Sequence, residues 1–195
     1  MAGSLIFSLG PYHILSLPRI TPFSLSSVVL HPTIANAVLP RQTFINATAS
    51  FKTLERPQFA TLQRAIFPAY FGIQTILPVA LALTYPGSRI AASGIQGALL
   101  NEANRWDVAA PLATIFVTGL INWAYCLPVT NSITDKRRAQ EKKDGKKSWD
   151  AAPHSQEMQS LNKQFGKIHG ISSLLNLITL IATVTYGFNL STRLQ

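Results

Sequence analysis

Apolar and polar positions fall along this chain in blocks rather than in strict alternation, and three of the apolar blocks are long. Ala65 to Ser88 is a run of 24 residues without Asp, Glu, Lys or Arg, and Val108 to Thr134 is another of 27. Across the 25 residues from Ile168 to Thr192 the only ionisable side chains are His169 and Tyr186. Crossing a hydrocarbon core of about 30 Å takes roughly 20 helical residues at about 1.5 Å each, so every run is long enough. Lipid offers no partner to the backbone groups of an open strand, so each run is predicted to cross as a helix. A chain of 195 residues is too short to wrap three such helices in polar layers, which excludes a soluble protein with buried helices.

The stretch before Ala65 reads differently. Met1 to Pro18 carries no charge but is broken at Gly10-Pro11, and Ile20 to Pro40 holds Pro22, Pro32 and Pro40. Proline removes an amide donor and clashes with the preceding turn, so a straight spanning helix is not expected there. From Gln42 to Leu54 helical character returns, with Phe44, Ala47, Phe51 and Leu54 recurring at intervals of three and four. The expected architecture is an all-α integral membrane helical bundle of three clear spanning helices plus a fourth, disrupted N-terminal one. Residues 1–42 form an atypical proline-rich segment. Residues 43–195 form the membrane domain, with helices near 43–54, 65–86, 108–134 and 168–190 and a basic loop over 135–163.

Composition narrows the class. Hydrophobic residues make up 47% of the chain and charged residues 13%, well under the roughly 25% of a soluble domain. The few charges are mostly positive, for a net +9, but nucleic-acid binding would need far more polar surface around them. One Cys excludes an internal disulfide framework, and the four His show no metal-ligand spacing, so neither a metal nor a cofactor is expected.

The basic residues also predict orientation. Arg19, Arg41, Lys52, Arg56 and Arg64 precede the first run, and nine more lie between the second and third, from Lys136 to Lys167. Only Arg89, Arg105 and Arg193 fall on the other side. The positive-inside rule then places the basic loop in the cytosol and the C-terminus in the lumen or outside the cell, in what is read as an endomembrane protein. Within the loop, Asp135 and Arg138 are three apart and Arg137 and Glu141 four apart, so both pairs can meet on a helix continuing out of the second span. Gly145, Ser148 and Pro153 end that helix. The cluster over 136–147 suits anionic lipid head groups, although five acidic residues dilute it and a solvated topology signal accounts for it as well.

Between helices in lipid, small and polar side chains mark the contact faces. Gly166, Gly170, Ser173 and Asn176 in the third span, with Thr118 and Asn122 in the second, are the predicted packing residues. Tyr70, Gln74, Pro78 and Ala82 step by four along the first span. If the protein is an enzyme, His169, Asn176, Asn122 and Tyr125, together with Gln74, are the residues that can converge on a small ligand. The spans hold no carboxylate, and the chain has neither a nucleophile elbow nor a phosphate-cradling loop. On the packing reading, His169 bridges to Asn122, Tyr125 or Thr130.

Several strings together resemble the transmembrane protein 205-like family. They are Thr43-Phe44 through Phe51-Lys52-Thr53-Leu54, Ile66-Phe67-Pro68-Ala69-Tyr70-Phe71, Trp123 through Pro128-Val129-Thr130, and Leu161 through His169-Gly170-Ile171-Ser172-Ser173 to Asn176. The resemblance covers roughly four-fifths of the chain. It implies a four-helix membrane protein, mostly of unsettled biochemistry, in which Pro11 to Ser16 would run directly into Thr43. Leu17 to Arg41 departs from that pattern, as an insertion or a gene-model artefact. The functional expectation is a non-enzymatic multi-pass protein acting through lipid or partner-protein contacts. The alternative is a membrane-embedded small-molecule enzyme or carrier with a polar site around His169 and Asn176, marked by a cavity of about 300 Å³ or more that includes His169.

Overall fold

A computed structural model describes residues 47–85 and 93–193. The proline-rich segment 1–42, and with it the passage of a first helix through the bilayer, lies outside the described residues. Five α-helices carry the fold: α1 (Ala47–Thr53), α2 (Arg56–Leu83), α3 (Ala110–Ile121), α4 (Leu127–Asp144) and α5 (Gln156–Arg193). No strand occurs among the described residues. Helical turns from Glu102 join α3 and α4 into one rod of 43 residues, so three rods are long and apolar enough to cross a membrane. The fold is an all-α helical bundle.

Local chemistry sets the ends. Glu55 and Gln58 cap the start of α2 reciprocally, and Pro57 occupies a first-turn position where no amide is needed. Gly145, at φ +63°, closes α4 in a left-handed conformation that costs glycine nothing. The basic loop is thus mostly helix: α4 continues through Asp144, α5 begins at Gln156, and only 145–155 connects them.

Two wide turns interrupt the central rod, and each sits directly before a proline. The turns are Arg105–Ala109 and Asn122–Cys126, where Ala110 N–H donates to the Arg105 carbonyl and Leu127 N–H to the Asn122 carbonyl. Pro111 and Pro128 follow. A proline ring collides with the carbonyl four residues back and supplies no N–H. An i→i−5 turn at that place opens the helix enough for the ring and keeps the rod unbroken.

The α3 segment lies between α2 and α5, and α5 runs back along α4. Three layers fill the interior. At the basic end Cys126, Ile133 and Ile168 are buried with Tyr70 and Phe71 nearby, and Phe67 stacks on Phe71. At the opposite end Leu81, Tyr85, Val108, Leu112, Tyr186 and Leu190 pack together. Between them the buried residues are polar: Gln74, Thr75, Thr118, Asn122, Thr179 and Thr183. Outward, Ile76, Leu83, Val117, Leu174, Ile181 and Phe188 are exposed. Amides inside with Leu, Ile and Phe outside is the partition of a protein whose solvent is hydrocarbon.

The helices come closest at Gly119. A Cβ there would meet Thr75 Oγ1 at 3.1 Å and the Gln74 carbonyl carbon at 3.2 Å, and the latter is backbone that cannot swing aside. The glycines expected at the contact face lie elsewhere. Gly166 and Gly170 are exposed, with nothing within 4 Å of a Cβ added at either, and Ser173 is exposed as well. The buried face of α5 instead follows Leu161, Phe165, Ile168, Ser172, Leu175, Thr179, Ala182 and Tyr186, alternating steps of four and three. That heptad spacing presents one seam to neighbouring helices, and side-chain volume did not mark it.

These placements rank two substitutions. Gly119→Leu should cost at least about 1–3 kcal/mol by forcing α2 and α3 apart, whereas Gly170→Leu should leave the monomer's stability near wild type. Thermal aggregation temperatures of the two variants in detergent check this, and a larger drop for Gly170→Leu would reverse the assignment.

Candidate functional site

The polar layer is a connected node. Gln74 Nε2 on α2 donates to Thr179 Oγ1 on α5 at 2.7 Å, and that hydroxyl lies 2.6 Å from Thr118 Oγ1 on α3. One turn towards the basic end, Asn122 Nδ2 donates to Asn176 Oδ1 at 3.3 Å. All three rods therefore meet through side-chain hydrogen bonds at mid-bundle. Gln74 and Asn122 are wholly buried, and Thr179 and Thr183 are 1% exposed.

Threonine suits this layer because its hydroxyl finds an acceptor in its own helix. Thr75, Thr179 and Thr183 reach the carbonyls of Phe71, Leu175 and Thr179 at 2.8–3.0 Å, and Thr118 reaches that of Thr114 at 2.7 Å. Each donor has an acceptor within four residues, which lets the group be buried before any neighbour arrives, and in the 2.6 Å contact one of Thr118 and Thr179 gives its proton to the other instead. The amides have no such local partner. Gln74 Oε1 and Asn122 Oδ1 are buried acceptors with no hydrogen-bond partner among the described residues. The node thus offers hydroxyl and amide groups only, with nothing to take a proton or attack a carbon.

The structure brings together part of the expected constellation. Asn122, Asn176 and Thr118 belong to the node. Tyr125 is 60% exposed on the outer surface. His169 is exposed too, with its ring stacked on Phe165 at 5.6 Å, and makes no bridge to Asn122, Tyr125 or Thr130. It lies about two turns from Asn176 along α5, close to the basic end. Gln74, expected among the residues able to converge on a ligand, does join the node, whereas Thr179 is not among the sequence candidates. The step-by-four series through Tyr70, Gln74, Pro78 and Ala82 did carry Gln74, and all four are buried. Thr179 is visible only in the α5 heptad.

A second feature is a groove of about 300 Å³ between α3 and α5 near the opposite end, open along one side and lined by Trp106, Pro111, Thr114, Ile178, Ile181 and Thr185. It does not include His169. No cluster of three or more potential metal ligands occurs among the described residues.

The basic end is held by polar contacts of another kind. The Arg64 guanidinium grips the Asp135 carboxylate with two nitrogens, joining α2 to α4. Asp135 pairs with Arg64 rather than with Arg138. Arg137 likewise bypasses Glu141: its Nε donates to Asn162 Oδ1 at 2.9 Å and its guanidinium lies 4.4 Å from the Phe165 ring centre. Both expected intrahelical pairs are replaced by interhelical contacts: Arg64 of α2 takes Asp135, and Asn162 of α5 takes Arg137 while Glu141 accepts the Ser148 N–H.

The node makes a stability prediction that chemistry at His169 would not. Thr179→Val keeps the volume but strands the Gln74 amide, at an expected cost of about 0.6–2 kcal/mol. Adding Gln74→Leu should recover most of that loss, a coupling that a double-mutant cycle of melting temperatures measures. His169→Leu should melt within about 0.5 kcal/mol of wild type, as an exposed substitution does.

Comparison with known proteins agrees with a membrane protein. Residues 38–139 match a family described as Domain of unknown function (DUF4149). A relative named Xanthocillin biosynthesis cluster protein D, from Aspergillus fumigatus, is 33% identical over 153 residues, covering 78% of this chain and 80% of that protein. No solved structure matches the chain. The matched region includes α1, α2, α3 and the first thirteen of the eighteen residues of α4, and with them Gln74, Gly119 and Asn122. On these matches the chain belongs to the DUF4149 family, and its described residues form three rods long and apolar enough to cross a membrane.

Proposed function

We propose that this protein is a non-enzymatic member of the transmembrane protein 205-like group, resident in an internal membrane and acting through lipid or partner-protein contacts. The basic α4–α5 hairpin faces the cytosol and the C-terminus the lumen or exterior. The observation that carries the reading is the use of polar groups in the interior. Gln74, Thr118, Thr179, Asn122 and Asn176 engage one another across the three rods, as helix-packing residues do, and no carboxylate, thiolate or imidazole joins them. The outer faces of all three rods are long, apolar and available.

One observation favours the second reading, an enzyme or carrier for a small molecule. The Aspergillus fumigatus relative takes its name from a biosynthesis cluster, and the Trp106–Thr185 groove opens directly to lipid, from which an apolar metabolite could enter. His169 and Asn176 stand about two turns apart along α5, and neither lines that groove.

Purification of the full chain in mild detergent, followed by mass spectrometry of what co-purifies, separates the two. The expected result is phospholipid and no stoichiometric non-lipid compound. A compound retained at about one per chain and lost in Trp106→Ala would overturn the non-enzymatic reading in favour of the second. Orientation has its own test. A reporter near Lys146 should be cytosolic and one after Arg193 lumenal or external, and protease protection of the Lys146 site in sealed microsomes would contradict that.

A further inference from the structure

Four of the five acidic residues of the basic end are occupied by the fold itself, and the fifth, Glu157, is exposed eleven residues before Ile168, roughly 16 Å outside the hydrocarbon. Asp135 is held by Arg64. Glu141 accepts the Ser148 N–H at 3.0 Å and has Lys147 Nζ at 3.9 Å. Asp144 accepts from Gln140 at 2.8 Å and from Ser155 at 2.6 Å, and Asp150 accepts the Lys147 N–H at 2.8 Å. Four of the carboxylates that dilute the positive cluster in the sequence therefore serve as caps and ties, three within the hairpin and Asp135 to α2. Lys136, Arg138, Lys163 and Lys167 are exposed, and none is in an ion pair among the described residues.

Their depth is the second observation. The apolar runs end at Thr134 on α4 and begin at Ile168 on α5. At about 1.5 Å per residue, Lys136 and Arg138 stand roughly 3 and 6 Å outside the hydrocarbon, and Lys167 and Lys163 roughly 1.5 and 7.5 Å. A head-group layer is about 5–8 Å thick on each side. All four cations thus sit within it, while Lys142 and Lys143 stand roughly 12–14 Å out, more than a Debye length of about 8 Å from the hydrocarbon edge. The one carboxylate at the same depth is Asp135, already neutralised by Arg64.

We infer that Lys136, Arg138, Lys163 and Lys167 form a juxtamembrane clamp for anionic phospholipid head groups of the leaflet in which the basic end sits. The inference rests on the proposed function in that it names the lipid contact. Four unpaired cations on two adjacent helices, at the depth of the phosphates and with no free carboxylate among them, are complementary to lipids carrying net negative charge. Zwitterionic lipids bring their own cation and gain much less.

The test uses the full-length protein in non-ionic detergent with equal phosphatidylglycerol and phosphatidylcholine, with retained lipids counted by native mass spectrometry. Wild type should retain phosphatidylglycerol over phosphatidylcholine by more than about tenfold, since each juxtamembrane cation contributes about fivefold. The variant carrying Lys136→Gln, Arg138→Gln, Lys163→Gln and Lys167→Gln should fall to within about twofold of no preference, while Lys142→Gln with Lys143→Gln keeps the wild-type ratio. Equal retention of the two lipids by wild type would overturn the clamp, with or without a foldable variant, and so would an equal loss in the Lys142/Lys143 variant. Inorganic phosphate at about 20 mM should not displace the lipid; displacement would overturn the lipid assignment in favour of a free-anion site. A failure here leaves a non-enzymatic protein with other contacts, whereas a stoichiometric metabolite would remove that reading without touching the lipid ratio.

Discussion

Inside a bilayer a polar side chain has only other parts of the protein to bond to, and the structure is organised around that constraint. Gln74, with no acceptor in its own helix, must be met by another helix, and Thr179 meets it. Thr118 then fixes α3 against the same hydroxyl, so one oxygen locates three rods. The apolar layers above and below add packing but little specificity, because in lipid a leucine is as well solvated outside the bundle as inside. The glycine at 119 follows from the node. For α3 to bring Thr118 and Asn122 to this depth, its neighbour on the α2 side must carry no Cβ.

Prolines in the rods are accommodated by the same logic. Pro111 and Pro128 would each leave a carbonyl unbonded or crowded in a regular helix. In both places the preceding turn widens and the amide one position earlier takes a carbonyl five residues back. The wide turn at Asn122–Cys126 begins at the residue that donates to Asn176, so accommodation of the proline and placement of the amide are one local event. At the basic end water and phosphates are available, and polar contacts change character. Charged groups replace amides, and the helices are tied by Arg64 with Asp135 and by Arg137 with Asn162. Because Asp135 is held by Arg64 of α2, no free carboxylate remains at the depth of Lys136, Arg138 and Lys167.

The sequence by itself determined the three apolar rods of the described residues, their helical state and the asymmetry of charge between their ends. Each of these depends on length, solvent or the count of charges, and none depends on which helix faces which. The pair Thr118 and Asn122 was legible for a related reason: polar groups at a four-residue step in an apolar helix have to be sheltered. The face of α5 was not legible in the same way. Gly166, Gly170 and Ser173 have the small volumes of a contact surface, yet the seam runs through Leu161, Ile168, Leu175, Thr179 and Tyr186. Small volume permits close approach but does not require it, and only the tertiary arrangement decides which permitted face is used. The same holds for Asp135 and Arg137, whose local partners looked adequate until other helices offered better ones, and for His169, whose neighbours three dimensions reduce to the ring of Phe165.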